Sequence, residues 1–262
     1  MSRAITSLAN PTVKAVRALH MRKAREESGQ FLAEGLKIVT EAVELGRPPR
    51  RLFYSAEAAA HPLLQRAAAA TDAAGGEAIE VSREILGKIS RRDNPQTVLA
   101  VFDQLFTHLS ALTPQSAACW VALEAVRDPG NLGTIVRTAD AAGCGGVILV
   151  GDCCDPFSVE AVRATMGSIF AVKIAKATQT EFLAWRSAWP GLVVGTLLAA
   201  TTDFRAADYA RPTLLLMGNE QAGLTPELAD ACDVTVKIPM RGRADSLNLA
   251  VATGIMIYAA TG

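Results

Sequence analysis

From residue 119 onward, short apolar runs alternate with helical patterns, and this alternation limits the possible folds more than any other feature. "CWVALEAV", "GGVILVG", "FAVKIA", "LVVGTLLA", "PTLLLMGNE" and "VTVKIP" read as strands. Between them, "NLGTIVRTADAAG", "DPFSVEAVRATMGS", "QTEFLAWRSAW" and "TPELADA" carry helical spacing. Such a succession predicts a mostly parallel sheet covered on both faces. Ligands of these sheets bind beyond the carboxyl ends of the strands. The final run is apolar or small over most of its circumference from Leu247 to Ala260, which predicts a buried helix. Its mouth holds Asp245, Ser246 and Asn248, and two readings are open. Either Asp245 or Ser246 caps the helix while Asn248 bonds a neighbouring loop, or the polar mouth receives a ligand.

The first hundred residues form a different pattern. "NPTVKAVRALHMRKAR" spaces Val13, Val16 and Leu19 helically, with Asn10 as cap and Pro11 in the first turn. After the apolar pair Phe31 and Leu32, "EGLKIVTEAVELG" reads as a helix ending at Gly46. "RRLFYS", "EAIEVS" and "TVLAVF" read as strands, with helices over "HPLLQRAAAATDAAGG" and "REILGKIS". These elements describe a small α/β domain over 1–106. "THLSALTPQSAA" lacks periodicity, so 107–118 is the expected linker and 119–262 the second domain.

Half of the residues are apolar and one fifth charged, the profile of a globular chain. Net charge is zero but unevenly placed: residues 1–51 carry ten Lys or Arg against five Glu. That asymmetry suits an anionic partner at one end, and equally a solvated basic helix face. The opening "MSRAITSLANPTVKAVRAL" has no apolar core of a secretory signal, and no apolar run is long enough to span a bilayer. Cys119, Cys144, Cys153, Cys154 and Cys232 are odd in number and lack paired spacing, so buried, reduced thiols are expected. These features together predict a cytoplasmic protein. Three scattered histidines offer no metal-ligand spacing, and neither a metal nor a membrane partner is expected.

Three strand exits gather polar residues. "RDPGNLG" turns tightly through Asp128, Pro129, Gly130 and Asn131, with Arg137 about two turns into the helix that follows. "GNEQAGL" holds Glu220 between glycines, and "PMRGRADSLN" leads into the last helix. No GxGxxG follows the first strand of this half, so an ordinary dinucleotide site is poorly supported.

In order, spacing and content, "NLGTIVRTADAAG", "LLLMGNEQAGL" and "IPMRGRADSLNLAVATGI" resemble the three motifs of the SpoU (TrmH) class of SPOUT RNA methyltransferases, over residues 119–260. "KAVRAL", "FLAEGLKIVTEA" and "EVSREILGKISRRDNPQTVLAVF" resemble the ribosomal-protein-like RNA-binding module often fused ahead of it. The resemblance implies S-adenosylmethionine as cofactor and methyl transfer to a ribose 2′-hydroxyl of RNA. It also implies a deep trefoil knot in the C-terminal domain, an exception to the usual unknotted topology, and a homodimer. Cofactor contacts then fall on Leu197, Met217, Gly218, Ile238, Met240 and Leu247. Asn131, Arg137, Glu220, Ser246 and Asn248 match the functional motif positions.

An arginine stays protonated far above neutral pH. Arg137 therefore reads as a phosphate clamp beside the reacting hydroxyl rather than as a free base. Asn131 is expected to orient Arg137 and the ribose, Glu220 to order the loops, and Ser246 and Asn248 to touch substrate or cofactor. Arg17, Arg22, Lys23 and Arg25 are expected to hold RNA phosphates. Large-subunit rRNA is favoured as substrate. The alternatives are tRNA 2′-O-methylation, methylation of a base nitrogen, and a noncatalytic RNA-binding role on the same scaffold.

Overall fold

The computed structural model describes residues 3–262 and divides into two units, Met1–Gln104 with Phe157–Phe170, and Leu105–Pro156 with Ala171–Gly262.

The first unit runs β1 (Arg3–Ile5), α1 (Pro11–Ala18), α2 (Arg22–Ser28), β2 (Gln30–Glu34), α3 (Leu36–Glu44), β3 (Arg51–Tyr54), α4 (Pro62–Ala73), β4 (Glu77–Val81), α5 (Arg83–Ser90) and β5 (Val98–Asp103). Its sheet has the order β1-β4-β3-β5-β2, parallel through the first three strands and antiparallel across the last two pairs. Asn10 caps α1 by accepting from the Thr12 amide at 2.8 Å, with Pro11 in the first turn, where a missing N–H costs nothing. Val13, Val16 and Leu19 pack with Ile85, Leu86 and Ile89 of α5 and with strand residues such as Leu32, Phe53 and Val101.

The second unit begins with two short 3₁₀ turns in 107–118 and continues β6 (Cys119–Glu124), α6 (Pro129–Ala141) and β7 (Gly146–Val150). The chain then makes α7 (Val159–Thr165), which belongs to the first unit. It returns through β8 (Lys173–Ala177), α8 (Gln179–Arg186), β9 (Leu192–Thr196), β10 (Thr202–Asp203), β11 (Thr213–Met217), α9 (Pro226–Asp230), β12 (Val234–Lys237) and α10 (Leu249–Thr261). The seven strands are ordered β10-β12-β9-β11-β6-β7-β8, and every pair is parallel. β6, β7 and β11 are buried at every residue, as strands covered on both faces must be.

The excursion of α7 into the first unit has an aromatic cause. Phe31 stacks against Phe157 at 4.8 Å, and Phe102 against Phe170 at 4.6 Å, between ring centroids. Aromatic pairs of this kind add to the area they bury. No helix among the described residues is long and apolar enough to cross a membrane.

The last helix departs from expectation in two ways. Its cap is neither Asp245 nor Ser246 but Asn248, whose Oδ1 accepts from the amides of Ala250 at 2.9 Å and Val251 at 3.2 Å. Nor is it buried all round. Leu249, Thr253, Met256, Ile257 and Ala260 are covered, whereas Val251 and Tyr258 are 52% and 58% exposed. They stand seven residues apart, two turns along one face.

Candidate active site

Parallel pairing places the carboxyl ends of all seven strands on one edge. The register aligns Leu123 of β6, Met217 of β11, Thr196 of β9 and Val236 of β12 across that edge. The loops that leave these four neighbouring strands therefore meet without any need for long side chains. The amide of Leu197 continues the ladder by donating to the Val236 carbonyl at 2.9 Å, and Thr196 Oγ1 lies 3.3 Å from Met217 Sδ.

These exits line an open cavity of about 110 Å³. Leu197, Met217, Gly218, Ile238, Met240 and Leu247, the six residues expected to contact a cofactor, all line it. Thr196, Asn219, Glu220 and Ser246 add polar groups to the same wall. Gly218 is needed here for close approach. A Cβ at this position would sit 2.1 Å from the Gly223 carbonyl carbon and 2.3 Å from the Leu224 nitrogen. The loop closes on itself through Asn219 N–H to the Gly223 carbonyl at 2.9 Å and the reciprocal bond at 3.0 Å. A second cavity, of about 720 Å³, shares Asn219 and Glu220 with the first and adds Arg127 and Asp128.

Three of the predicted polar residues are joined in one chain of hydrogen bonds. Asn248 Nδ2 donates to Asn131 Oδ1 at 2.8 Å, and Asn131 Nδ2 donates to Glu220 Oε1 at 3.4 Å. Glu220 also accepts from the Arg127 and Asp128 amides at 3.4 and 3.5 Å and from Asn219 Nδ2 at 3.3 Å. Sequence separations of 117 and 89 residues thus collapse to one rim. Asn131 does not belong to the turn, as the sequence suggested. It stands in the first turn of α6, whose cap is Asp128, accepting from the Asn131 amide at 2.6 Å. Asn248 thus works at both ends of its amide: Oδ1 caps α10, and Nδ2 reaches the first turn of α6.

Arg137 is not drawn into this network. It lies exposed on α6, without a hydrogen-bond or ion-pair partner among the described residues, and it does not line the cavity. Ser246 is exposed at the cavity wall.

Asn219 and Glu124 were missed by sequence reasoning. Asn219 accepts at Oδ1 from the amides of Gln221 and Ala222 and donates from Nδ2 to the Ala125 carbonyl at 2.7 Å. An Asn that folds its own turn is signalled by the Gly-Asn pair at a strand end. Glu124 is 6% exposed and accepts from the Thr225 amide at 2.8 Å. A charged residue closing a fully apolar strand was its only mark.

The cysteines are free thiols. Burial, then the neighbouring Cys153 and the carboxylates of Glu220, Asp128 and Asp155, pushes Cys154 up to about 12. Burial likewise raises Cys153, and takes Cys232 up to about 12. These thiols are neutral near pH 7 and supply no nucleophile to the rim.

In the first unit, Arg17 is exposed. Arg22 pairs with Glu26 at 2.7 Å and Lys23 with Glu27 at 3.8 Å, both on exposed helix surface. Arg25 must be corrected. It is only 4% exposed and donates from Nη1 to the Leu19 carbonyl at 2.7 Å, so it ties α2 to the end of α1 and presents no phosphate site.

Residues 118–258 match the SpoU rRNA Methylase family, and residues 10–100 match the MRM3-like substrate binding domain. An AdoMet-bound rRNA methyltransferase from Sinorhizobium meliloti, known from its crystal structure, shares 51% identity and a TM-score of 0.93, covering 99% of this chain and 97% of that one. The 23S rRNA (uridine(2479)-2′-O)-methyltransferase of Streptomyces viridochromogenes is 32% identical over 91% of this chain and 85% of its own. The 23S rRNA (guanosine(2553)-2′-O)-methyltransferase RlmP of Bacillus subtilis is 29% identical over 97% of both chains. With the strand exits, the shared cavity and the Asn131–Glu220–Asn248 rim arranged as described, this chain belongs to the SpoU rRNA methylase family.

Proposed function

We propose that the chain transfers a methyl group from S-adenosylmethionine to a ribose 2′-hydroxyl of large-subunit rRNA, working as a cytoplasmic homodimer. The observation that carries this reading is the cavity with a hydrogen-bonded polar rim. Its apolar wall of Leu197, Ile238, Met240 and Leu247 suits an adenine and a methionyl chain, and Thr196 and Ser246 suit the polar parts of such a molecule. S-adenosylmethionine, when bound, supplies a methyl carbon activated by a sulfonium.

The protein's task is then to hold the attacking oxygen in line and ease the loss of its proton. Glu220 already accepts from two backbone amides and two side-chain amides. A carboxylate has about four acceptor sites, so Glu220 serves as the organiser that fixes Asn131 rather than as a base. Asn131 in turn fixes Asn248, which leaves two oriented amides at the rim. Arg137 supplies a guanidinium for the phosphate next to the target ribose, lowering the cost of negative charge developing on the hydroxyl. The wider cavity gives the RNA a route to the rim.

Dimerisation is supported by the exposed Val251 and Tyr258 on α10. Gly254 of that helix faces the Thr138 side chain of α6, so α10 and the helix that carries Arg137 pack together. Tyr258→Glu is expected to shift sedimentation from two chains to one; a variant that still sediments as a dimer places the interface elsewhere. The knotted path is supported by chain order. β12 lies beside β9, yet α10 packs on β11, β6 and α6, so the chain crosses back over the exits of its neighbours.

The deciding experiment gives the protein labelled S-adenosylmethionine and large-subunit rRNA, then digests the product to nucleosides. A single 2′-O-methylnucleoside is expected. Label on a base nitrogen would overturn the ribose assignment, and RNA binding without transfer would favour the noncatalytic reading.

A further inference from the structure

The first unit contains a buried charge with no role in the site described above. Glu34, the last residue of β2, has a side chain only 6% exposed, and neither carboxylate oxygen has a hydrogen-bond partner. Two guanidinium groups face it instead. Arg92 Nε lies 3.5 Å away from the turn between α5 and β5, and Arg163 Nη2 lies 3.6 Å away from the last turn of α7. The arginine side chains are 33% and 47% exposed, so each turns one edge to Glu34 and keeps other donors toward solvent. One negative charge thus anchors two positive ones at a fixed spacing.

Arg91, next in the chain to Arg92, adds a third cation in an unusual backbone state. It ends α5 in the left-handed conformation, with φ of 57°. Glycine fills that position at helix ends without strain, whereas a side chain is disfavoured there. Arg91 is exposed, and its side chain has no hydrogen-bond or ion-pair partner among the described residues. Folding therefore gains nothing visible from an arginine where glycine fits better. Strain kept without a structural return points toward function. His20 registers the local field. Burial lowers its pKa, the hydrogen bond to the Ile89 carbonyl opposes this, and the charges of Arg91, Arg25 and Arg163 lower it further.

We propose that Arg91, Arg92 and Arg163, with Glu34 as the anchor of the last two, form an RNA-phosphate contact of the first unit. This rests on the reading of the chain as an RNA methyltransferase. Guanidinium forks match phosphate oxygens bidentately, and a pair already held by a buried carboxylate loses little freedom on binding. Contacts of this type hold the RNA backbone in register and carry no base preference.

The test uses the full chain and a large-subunit rRNA fragment, with binding measured across a salt series. Arg91→Gly relieves the left-handed strain, so its Tm should equal or exceed that of the unaltered chain. Its RNA Kd should nevertheless weaken roughly three- to tenfold, and the slope of log K against log salt should become shallower by about 0.7–0.9. The double variant Arg92→Gln, Arg163→Gln should flatten the slope by about twice that amount. S-adenosylmethionine titrations should be unchanged in both. RNA affinity and slope equal to those of the unaltered chain in Arg91→Gly would overturn the proposal while leaving the enzyme reading intact. An unaltered chain that neither binds nor methylates rRNA would sink the enzyme reading and this proposal with it.

Discussion

Arg137→Ala is expected to bind S-adenosylmethionine as tightly as the unaltered chain and to lose about a hundred- to a thousandfold in methyl transfer. Both halves of this expectation come from where the residue lies. Arg137 is absent from the cavity wall, so removing it leaves the apolar donors of binding energy in place. It stands six residues beyond Asn131 on the same helix, about 9 Å along the axis at 1.5 Å per residue. Six residues also turn the helix by about 600°, so Arg137 stands roughly 120° round α6 from Asn131, and the phosphate it would clamp must lie toward that side of the rim. Arg137→Lys should restore little, because an ammonium cannot reproduce the planar fork. The pair of measurements is calorimetry for the donor and single-turnover transfer for the chemistry. Full transfer by Arg137→Ala would remove the residue from the mechanism, and loss of donor binding would move it into the cavity.

Gly218→Ala carries the second large effect, on folding and donor binding together. The atoms facing the added methyl are backbone atoms of Gly223 and Leu224 at 2.1–2.5 Å, which no rotamer change can clear. The loop must open, and its opening moves Asn219 and Glu220 with it. Forced overpacking of this kind costs about 1–3 kcal/mol. For a protein of this size that lowers Tm by about 2–10 °C. Donor affinity should fall at the same time, since Gly218 lines the cavity. An Ala variant with unchanged Tm and donor Kd would show that the loop is looser than its contacts imply.

The sheet of the second unit was legible because its central strands β6, β7 and β11 are buried on both faces and read as unbroken apolar runs. β1 and β10 were not legible. Each is two or three residues long, at a sheet edge, and defined by its neighbour rather than by its own sequence. α7 was recognised as a helix, but nothing in its spacing told of Phe31 and Phe102, so its membership of the first unit could not be read. That finding also changes an obvious experiment. Deleting the first hundred residues would strip Phe157 and Phe170 of their partners, so RNA contacts of this region are better tested by surface substitutions.

At the site, the strand-exit rule gathered Asn131, Glu220 and Asn248 correctly, because parallel strands bring their carboxyl ends to one edge. The rule says nothing of side-chain direction, and so it could not separate Arg137 from the network. Charge counting failed for a related reason. Arg17 and Arg25 contribute equally to a basic segment, yet one faces solvent and the other is buried against the Leu19 carbonyl. Periodicity likewise could not show that an apolar helix would leave Val251 and Tyr258 uncovered.

The most direct test of the account is a crystal structure of the chain grown with S-adenosylmethionine. Density for the donor is expected against Met217, Gly218, Ile238, Met240 and Leu247, its methyl carbon turned toward the rim of Asn131 and Asn248. Density in another cavity, or none at saturating donor, would contradict it.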